Sequence, residues 1–437
     1  MKKYLALILG VLFVLSFSAT AFAIHAEIPS ETQAVAAKGE TQIILGGEIR
    51  TRGWYFDHVT SGKLPLGGEE NAYYDQRVRL SVDATVAPGI KGFVMLETNA
   101  GENPETGFNK PTSDVYKWGG LNVKPNSLNI NEAWLLYTGS GLFGFNSGVK
   151  IGHMPLALGE KQFFDHTKYG DDAIVVFMDP IKPLHVAALT FKGFEGGLGN
   201  SSDLDAYVAL ATYKLDDKNT IGANFTLLNQ SSTEFQLMDA SLHANGNISG
   251  VGYKFEGDYQ FGKQDDNVDY DAYGLMLGLN FNVNPVNIRL SGAYGSGDDK
   301  VDDKNKNFQT FLTANGAPGG SADQHYTLVY EYQVVSTAGS TGTGISNTWY
   351  VNLGVDWAPT KELTTSLDGY WIEATKTPDG VDKSAGWEID ARLKYALAKN
   401  LTYQVDAGYF DAGDYYQDTY GDKKGATVLR HAITLSF

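Results

Sequence analysis

The chain of 437 residues contains no cysteine. That removes disulfides, thiolate metal sites and cysteine nucleophiles together. Positive charge is scarce: 34 Lys and Arg stand against 51 Asp and Glu, a formal charge of −17. A nucleic-acid partner is excluded on that ground, because such a binder needs a basic face to displace counterions from phosphates. Long hydrophobic runs are also missing. Beyond the first residues nothing approaches the ~18 consecutive apolar residues of a spanning helix, and Ala173–Met178 is among the longest runs. A helical membrane protein is therefore excluded. What is present instead is 12% aromatic residues and 50 Gly at only 43% hydrophobic content. That mixture suits many short strands and turns better than a helical core.

The amino terminus carries Lys2-Lys3, an apolar run from Tyr4 to Phe17 and then Ala21-Phe22-Ala23. A basic n-region, an h-region and an A-x-A site predict a secretory signal peptide over residues 1–23. Residues 24–42, rich in Ala, Glu, Thr and Gln, read as a periplasmic linker, and 43–437 as one barrel domain.

From there one pattern recurs: about ten residues alternate apolar and polar, then a turn follows. In Trp349–Trp357, one face holds Trp349, Val351, Leu353, Val355 and Trp357, and the other Tyr350, Asn352, Gly354 and Asp356. Trp387–Leu397 behaves alike, with Trp387, Ile389, Ala391, Leu393 and Tyr395 against Glu388, Asp390, Arg392 and Lys394. A soluble sandwich alternates too, but here the polar face carries full charges in mid-strand and the apolar face ends in aromatics. Eight residues separate Trp349 from Trp357, and Trp387 from Tyr395. At ~3.4 Å per residue and a tilt near 40°, that is roughly 20 Å of climb, close to the belt between the aromatic girdles of an outer-membrane barrel. Trp349, Trp357, Trp371, Trp387, Tyr395 and Phe437 are the girdle candidates. Connections alternate between short and long, which sets periplasmic turns against extracellular loops. The expected fold is thus all-β: an up-and-down antiparallel transmembrane barrel of 18 strands, with 16 as the alternative if 147–153 and 172–178 belong to a loop. Parity makes the long segment 296–346 one outer loop.

The signal peptide, the opening strand Gly46-Gly47-Glu48-Ile49-Arg50-Thr51-Arg52-Gly53-Trp54, the alternating strands and the terminal Phe437 resemble a Gram-negative outer-membrane porin. Val149–Glu160 resembles the V-x-x-G-R-Q-x-x-x-x-G segment of alginate-export-like and related 18-stranded porins, with His153-Met154 where that family usually has Arg-Gln. The resemblance implies passive diffusion of ions and small hydrophilic solutes through an outer-membrane channel, often as a homotrimer among lipid and lipopolysaccharide. It also implies a closing strand read by the barrel assembly machinery through Phe437.

All seven arginines fall on the polar face of an expected strand. Barrel closure places Arg430 beside Arg50 and Arg52, and these beside Arg77 and Arg79, with Arg392 and Lys394 two strands away. A pore-lining basic ladder is expected, setting a transverse field at a constriction. Glu48, Asp83, Glu388, Asp390 and Asp406 are interleaved on the same face, so a solvated, salt-bridged wall is the competing reading. The third long loop is the candidate for narrowing the pore, through Glu160, Asp165, Asp171 and Asp172 with Lys161, His166 and Lys168. An ordinary outer loop is its alternative.

No cofactor or metal is expected. Asp265-Asp266-Asn267-Val268-Asp269 lacks the Gly and terminal Glu of an EF-hand, and no C-x-x-C-H for c-type haem is present. Two other functions compete with the porin. One is a barrel sheath for a periplasmic or surface complex such as an electron conduit. The other is an outer-membrane hydrolase, but His58, His166, His243 and His325 are scattered and no nucleophile motif accompanies them. An enzyme is therefore not expected.

Overall fold

The computed structural model describes residues 35–38, 41–58, 70–98, 116–117, 128–140, 144–167, 170–194, 203–230, 232–300, 303–311, 326–331 and 344–437. The expected signal peptide lies outside the described residues. Among them no helix is long and apolar enough to cross a membrane.

Eighteen strands follow the alternating stretches one for one. They are β1 (Thr41–Asp57), β2 (Asn71–Ala87), β3 (Ile90–Thr98), β4 (Leu128–Gly139), β5 (Ser147–Met154) and β6 (Asp171–Ile181). Next come β7 (Leu184–Phe194), β8 (Leu204–Lys214), β9 (Thr220–Gln230), β10 (Phe235–Ile248), β11 (Val251–Lys263) and β12 (Asp269–Val283). The last are β13 (Val286–Gly295), β14 (Thr348–Trp357), β15 (Leu363–Ala374), β16 (Ser384–Ala398), β17 (Leu401–Ala412) and β18 (Ala426–Ser436). Each pairs antiparallel with the next, and β1 pairs with β18 from Glu48↔Ser436 to Asp57↔Thr427. The sheet is closed, so every strand edge inside the apolar layer finds a partner. The 16-stranded alternative is overturned, since β5 and β6 form full ladders with both neighbours.

The period-two pattern becomes two surfaces. On β14, Val351, Leu353, Val355 and Trp357 face outward and are exposed, while Tyr350 and Asn352 are buried inside. Outward apolar side chains recur around the barrel, among them Leu80, Ile174, Leu242, Leu277, Leu367 and Ile389. In an aqueous protein such a belt would be a liability; against lipid it is the stabilising surface. Of the girdle candidates, Trp371 faces Trp387 across β15 and β16, while Trp357 and Tyr395 lie toward the opposite strand ends. Phe437 closes the last strand by exchanging both backbone hydrogen bonds with Gly47.

Two expectations need correction. Residues 35–38 are not plain linker: Val35–Lys38 pairs antiparallel with Thr41–Ile44, and β1 begins at Thr41. The β13–β14 connection is one outer loop by topology, yet it does not stay outside. Its Lys304–Asn305 pairs in parallel with the start of β12, and Phe308, Phe311, Val329 and Tyr330 are fully buried.

Candidate functional site: the occluded lumen

The inward face is polar because alternate residues of every strand must meet water in a barrel this wide. Among the described residues, two connections fold into that space. The first is the β5–β6 loop, the third long loop. It doubles back on itself, His166 N–H donating to Leu156 O at 2.8 Å and Leu158 N–H to Phe164 O at 3.2 Å. Its base is an aromatic knot. The Phe164 ring lies 5.1 Å from Phe191 of β7, 5.8 Å from Phe311 and 4.3 Å from His166. Buried His166 holds both carboxylate oxygens of Asp171 at 2.8 Å through Nδ1. Its tip spans the lumen to β10 and β11. Asn245 Nδ2 donates to Glu160 Oε1 at 2.7 Å, and the Glu160 backbone N–H donates to Glu256. Gly159 makes that approach possible: its φ is +52°, and a Cβ there would lie 2.7 Å from the Glu256 carboxyl carbon.

The second inserted segment is the β13–β14 connection. Its first part leans on the β5–β6 loop, Phe311 N–H donating to Phe163 O at 2.7 Å. It is fastened to the wall by Gln260, which accepts from Gln309 N–H at 2.7 Å and donates to Gln309 O at 2.8 Å. Its second described part, Tyr326–Glu331, is a turn seated on β16. Leu328 N–H donates to Glu388 Oε1 and Asp390 Oδ2, each at 2.9 Å. Val329 N–H reaches Glu388 Oε1 at 2.6 Å and Tyr330 N–H reaches Oε2 at 2.8 Å. Tyr326 stacks on Tyr350 of β14 at 4.4 Å, and burial pushes its phenol well above the ordinary tyrosine range.

Between the two inserts and the β13–β18 wall lies a cavity of about 720 Å³. Lys161 and Asp165 line it from the loop, Tyr326, Thr327 and Leu328 from the turn, and Arg289, Arg392 and Arg430 from the wall. The arginines are ordered by carboxylates. Arg289 makes a two-pronged contact with Asp356 (2.9 Å each) and a third bond to Asp368 (2.8 Å). Asp406 accepts from Arg392 Nε at 2.5 Å and from Arg430 Nε at 2.9 Å. Arg392 still exposes 53% of its side chain, against 17% for Arg430. Lys161 lies 3.4 Å from Asp165.

The other half of the expected ladder is a different environment. Arg52 binds both oxygens of Asp75 (2.8 and 2.9 Å), and Trp54 Nε1 donates to the same carboxylate. Arg77 holds Glu48 Oε1, and Arg79 pairs with Glu97. Arg50 faces Arg77 in register, and the guanidinium groups of Arg52 and Arg430 sit 4.9 and 5.0 Å from the Trp54 ring centre. Arg52 and Arg77 are buried, and none of these β1–β2 arginines lines the cavity. Asp83 and Lys394 are on the inward faces of β2 and β16, toward their turn ends.

Several candidates are relocated. Glu388 is fully buried beneath the turn and meets no lumen water, whereas Asp390 reaches the cavity. Asp172 faces the barrel exterior, where it contacts His153 at 3.0 Å, because it is one residue out of phase with inward Asp171. Glu160 and Asp171 are spent on loop anchoring. Lys168 lies outside the described residues. Sequence reasoning passed over Arg289, Asp356 and Asp368 as site residues, although each is a charge on the polar face of a strand. It also passed over Asp239, Glu256 and Asp258, which lie buried on β10 and β11 under the inserts.

Comparison with known proteins adds three findings. A family model described as alginate export matches residues 198–428. No curated protein matches the sequence. Among solved structures, the outer membrane protein opdK of Pseudomonas aeruginosa is similar at 12% identity and a TM-score of 0.55, covering 90% of this chain and 99% of that one. OccK8 (OprE) of the same organism gives 13% and 0.57, covering 90% and 98%, and OprD gives 13% and 0.54, covering 90% and 95%. At such identities the likeness speaks for the barrel.

Proposed function

Because the chain belongs to the alginate export family, we propose that it is an outer-membrane porin whose bore passes ions and small hydrophilic solutes by passive diffusion. The observation that carries this reading is the combination of an apolar, lipid-matched exterior with an open, charge-lined cavity inside the ring. Nothing in the passage of a solute along such a bore requires a bond to be made. The groups lining it supply fixed charge and hydrogen bonds in place of bulk water.

Among the described residues, four basic and five acidic side chains line the cavity. A near-balanced bore suits small solutes better than a long polyanion. Arg392, the most exposed of its arginines, is the first contact for a carboxylate, since its planar fork matches that group. Arg289, Arg392 and Arg430, the acids Asp390 and Asp406, and Lys161 and Asp165 of the β5–β6 loop together act as the selectivity region. A second reading, passage of alginate itself, rests on the family's description. Homotrimer formation, contact with lipopolysaccharide and recognition of Phe437 by the assembly machinery belong to the same proposal, as does removal of residues 1–23 on export.

Planar-bilayer recording tests the reading. Purified protein is expected to form stable conducting steps, with a reversal potential in a salt gradient that shifts when Arg392 is replaced. Adding an alginate oligomer separates the two solute readings: blockade of the current favours the polymer, unimpeded current the small solutes. Absence of any conductance would overturn the channel.

A further inference from the structure

We propose that Glu388 and Gly408 are the positioning pair that sets the width of the bore. Glu388 holds the turn Tyr326–Glu331 in the lumen, and Gly408 makes the room for it. This inference rests on the channel reading above and assigns the control of its constriction.

Three consecutive backbone amides converge on one carboxylate. Leu328, Val329 and Tyr330 donate to Glu388 at 2.9, 2.6 and 2.8 Å, and Leu328 also donates to Asp390. A run of N–H groups closing on an anion is a nest, and its hydrogen bonds are charge-assisted. With an apolar residue at 388, the amides of Val329 and Tyr330 would be left buried without their acceptor. The neighbouring strand is shaped to match. Gly408 faces inward on β17, where a Cβ would lie 2.6 Å from Asp390 Oδ1, 2.7 Å from Val329 Cγ2 and 3.2 Å from Leu328 Cβ. Any side chain there competes with the turn for the same space. On its outer side the turn is backed by aromatics: Tyr330 meets Phe410 at 5.3 Å, and Phe410 meets Tyr416 of the short helix α1 (Asp414–Tyr420) at 5.9 Å.

The opposite face of the turn presents Tyr326, Thr327 and Leu328 to the cavity, across from Lys161. What seats the turn therefore fixes one wall of the bore. Glu388 is fully buried and acts only through the turn it holds.

The test compares single-channel conductance and reversal potential of wild type, Glu388→Ala, Glu388→Asp and Gly408→Ala, with heat-modifiable gel mobility as the check of folding. Glu388→Ala is expected to raise conductance about twofold and to add subconductance levels, since the resistance of a pore is set by its narrowest part. Its anion-to-cation permeability ratio should move toward that of free salt, because solutes are no longer pressed against Arg392. Glu388→Asp keeps the carboxylate and should recover most of the wild-type behaviour. Gly408→Ala, which lifts the same turn by crowding, should move both readouts in the direction of Glu388→Ala. Folded Glu388→Ala and Gly408→Ala barrels with wild-type conductance and selectivity would overturn the proposal. If Glu388→Ala does not fold, Gly408→Ala decides alone. A wild-type barrel that does not conduct would overturn the channel reading first, and this inference with it.

Discussion

The arginines of β1 and β2 share a residue type, an inward face and a barrel with those of β13, β16 and β18, yet the two sets live differently. Arg52 and Arg77 are buried, each clasped by a carboxylate from the neighbouring strand. Arg289, Arg392 and Arg430 meet an open cavity, and Arg392 and Arg430 share a single carboxylate, Asp406. The difference lies in exposure: Arg52 and Arg77 are buried, whereas Arg392 keeps half of its side chain in water. A buried, clasped arginine is a structural cross-tie; where water remains, the same residue can meet a solute. Charge on the polar face of a strand is therefore not by itself a pore-lining charge.

The largest expected effect comes from erasing the distinction. Excising residues 161–167 removes the cavity-facing Lys161 and Asp165 together with the aromatic base of the β5–β6 loop and should raise single-channel conductance about twofold or more, because the narrowest section is lost. Next is Arg52→Ala, which strands Asp75 as a buried unpaired charge. It should cost about 3–5 kcal/mol in unfolding free energy, read by urea titration, and leave the reversal potential alone. Arg392→Ala should do the opposite. Its side chain is half in water, so the stability change should stay below about 1 kcal/mol, while the reversal potential in a salt gradient moves toward cation preference. The smallest effect belongs to Asp172→Asn on the outer surface, expected to leave conductance, selectivity and unfolding midpoint unchanged. A selectivity change in Arg52→Ala, or none in Arg392→Ala, would break the comparison.

The barrel was legible because period two and turn residues are local signals, and parity turns local counts into topology. All eighteen strands sit within a few residues of where the alternation places them. The site was legible only in part. Inward orientation followed from the pattern for Arg392 and Arg430, but the cavity they line is bounded by two long connections, held by contacts that the pattern does not give. Those contacts join Glu160 to Asn245, and Leu328 to Glu388, over long sequence distances that carry no periodic trace. Glu388 looked like any other inward acid because nothing in its own strand announces the turn above it. Asp172 was misplaced for a simpler reason: strand and loop meet at Asp171, and one residue of phase decides which side of the wall a carboxylate occupies.

At the seam the two strands that close the ring are unequal in length. β1 has 17 residues and β18 has 11, and their ladder begins only at Glu48↔Ser436. The first residues of β1 therefore outrun the strand that closes the ring. Val35–Lys38 folds back along that overhang, from Thr41 to Ile44, on the side that β18 vacates. The stretch just ahead of the barrel works as a hem. It finishes a raw edge of backbone donors and acceptors that another copy of the chain could otherwise stitch onto.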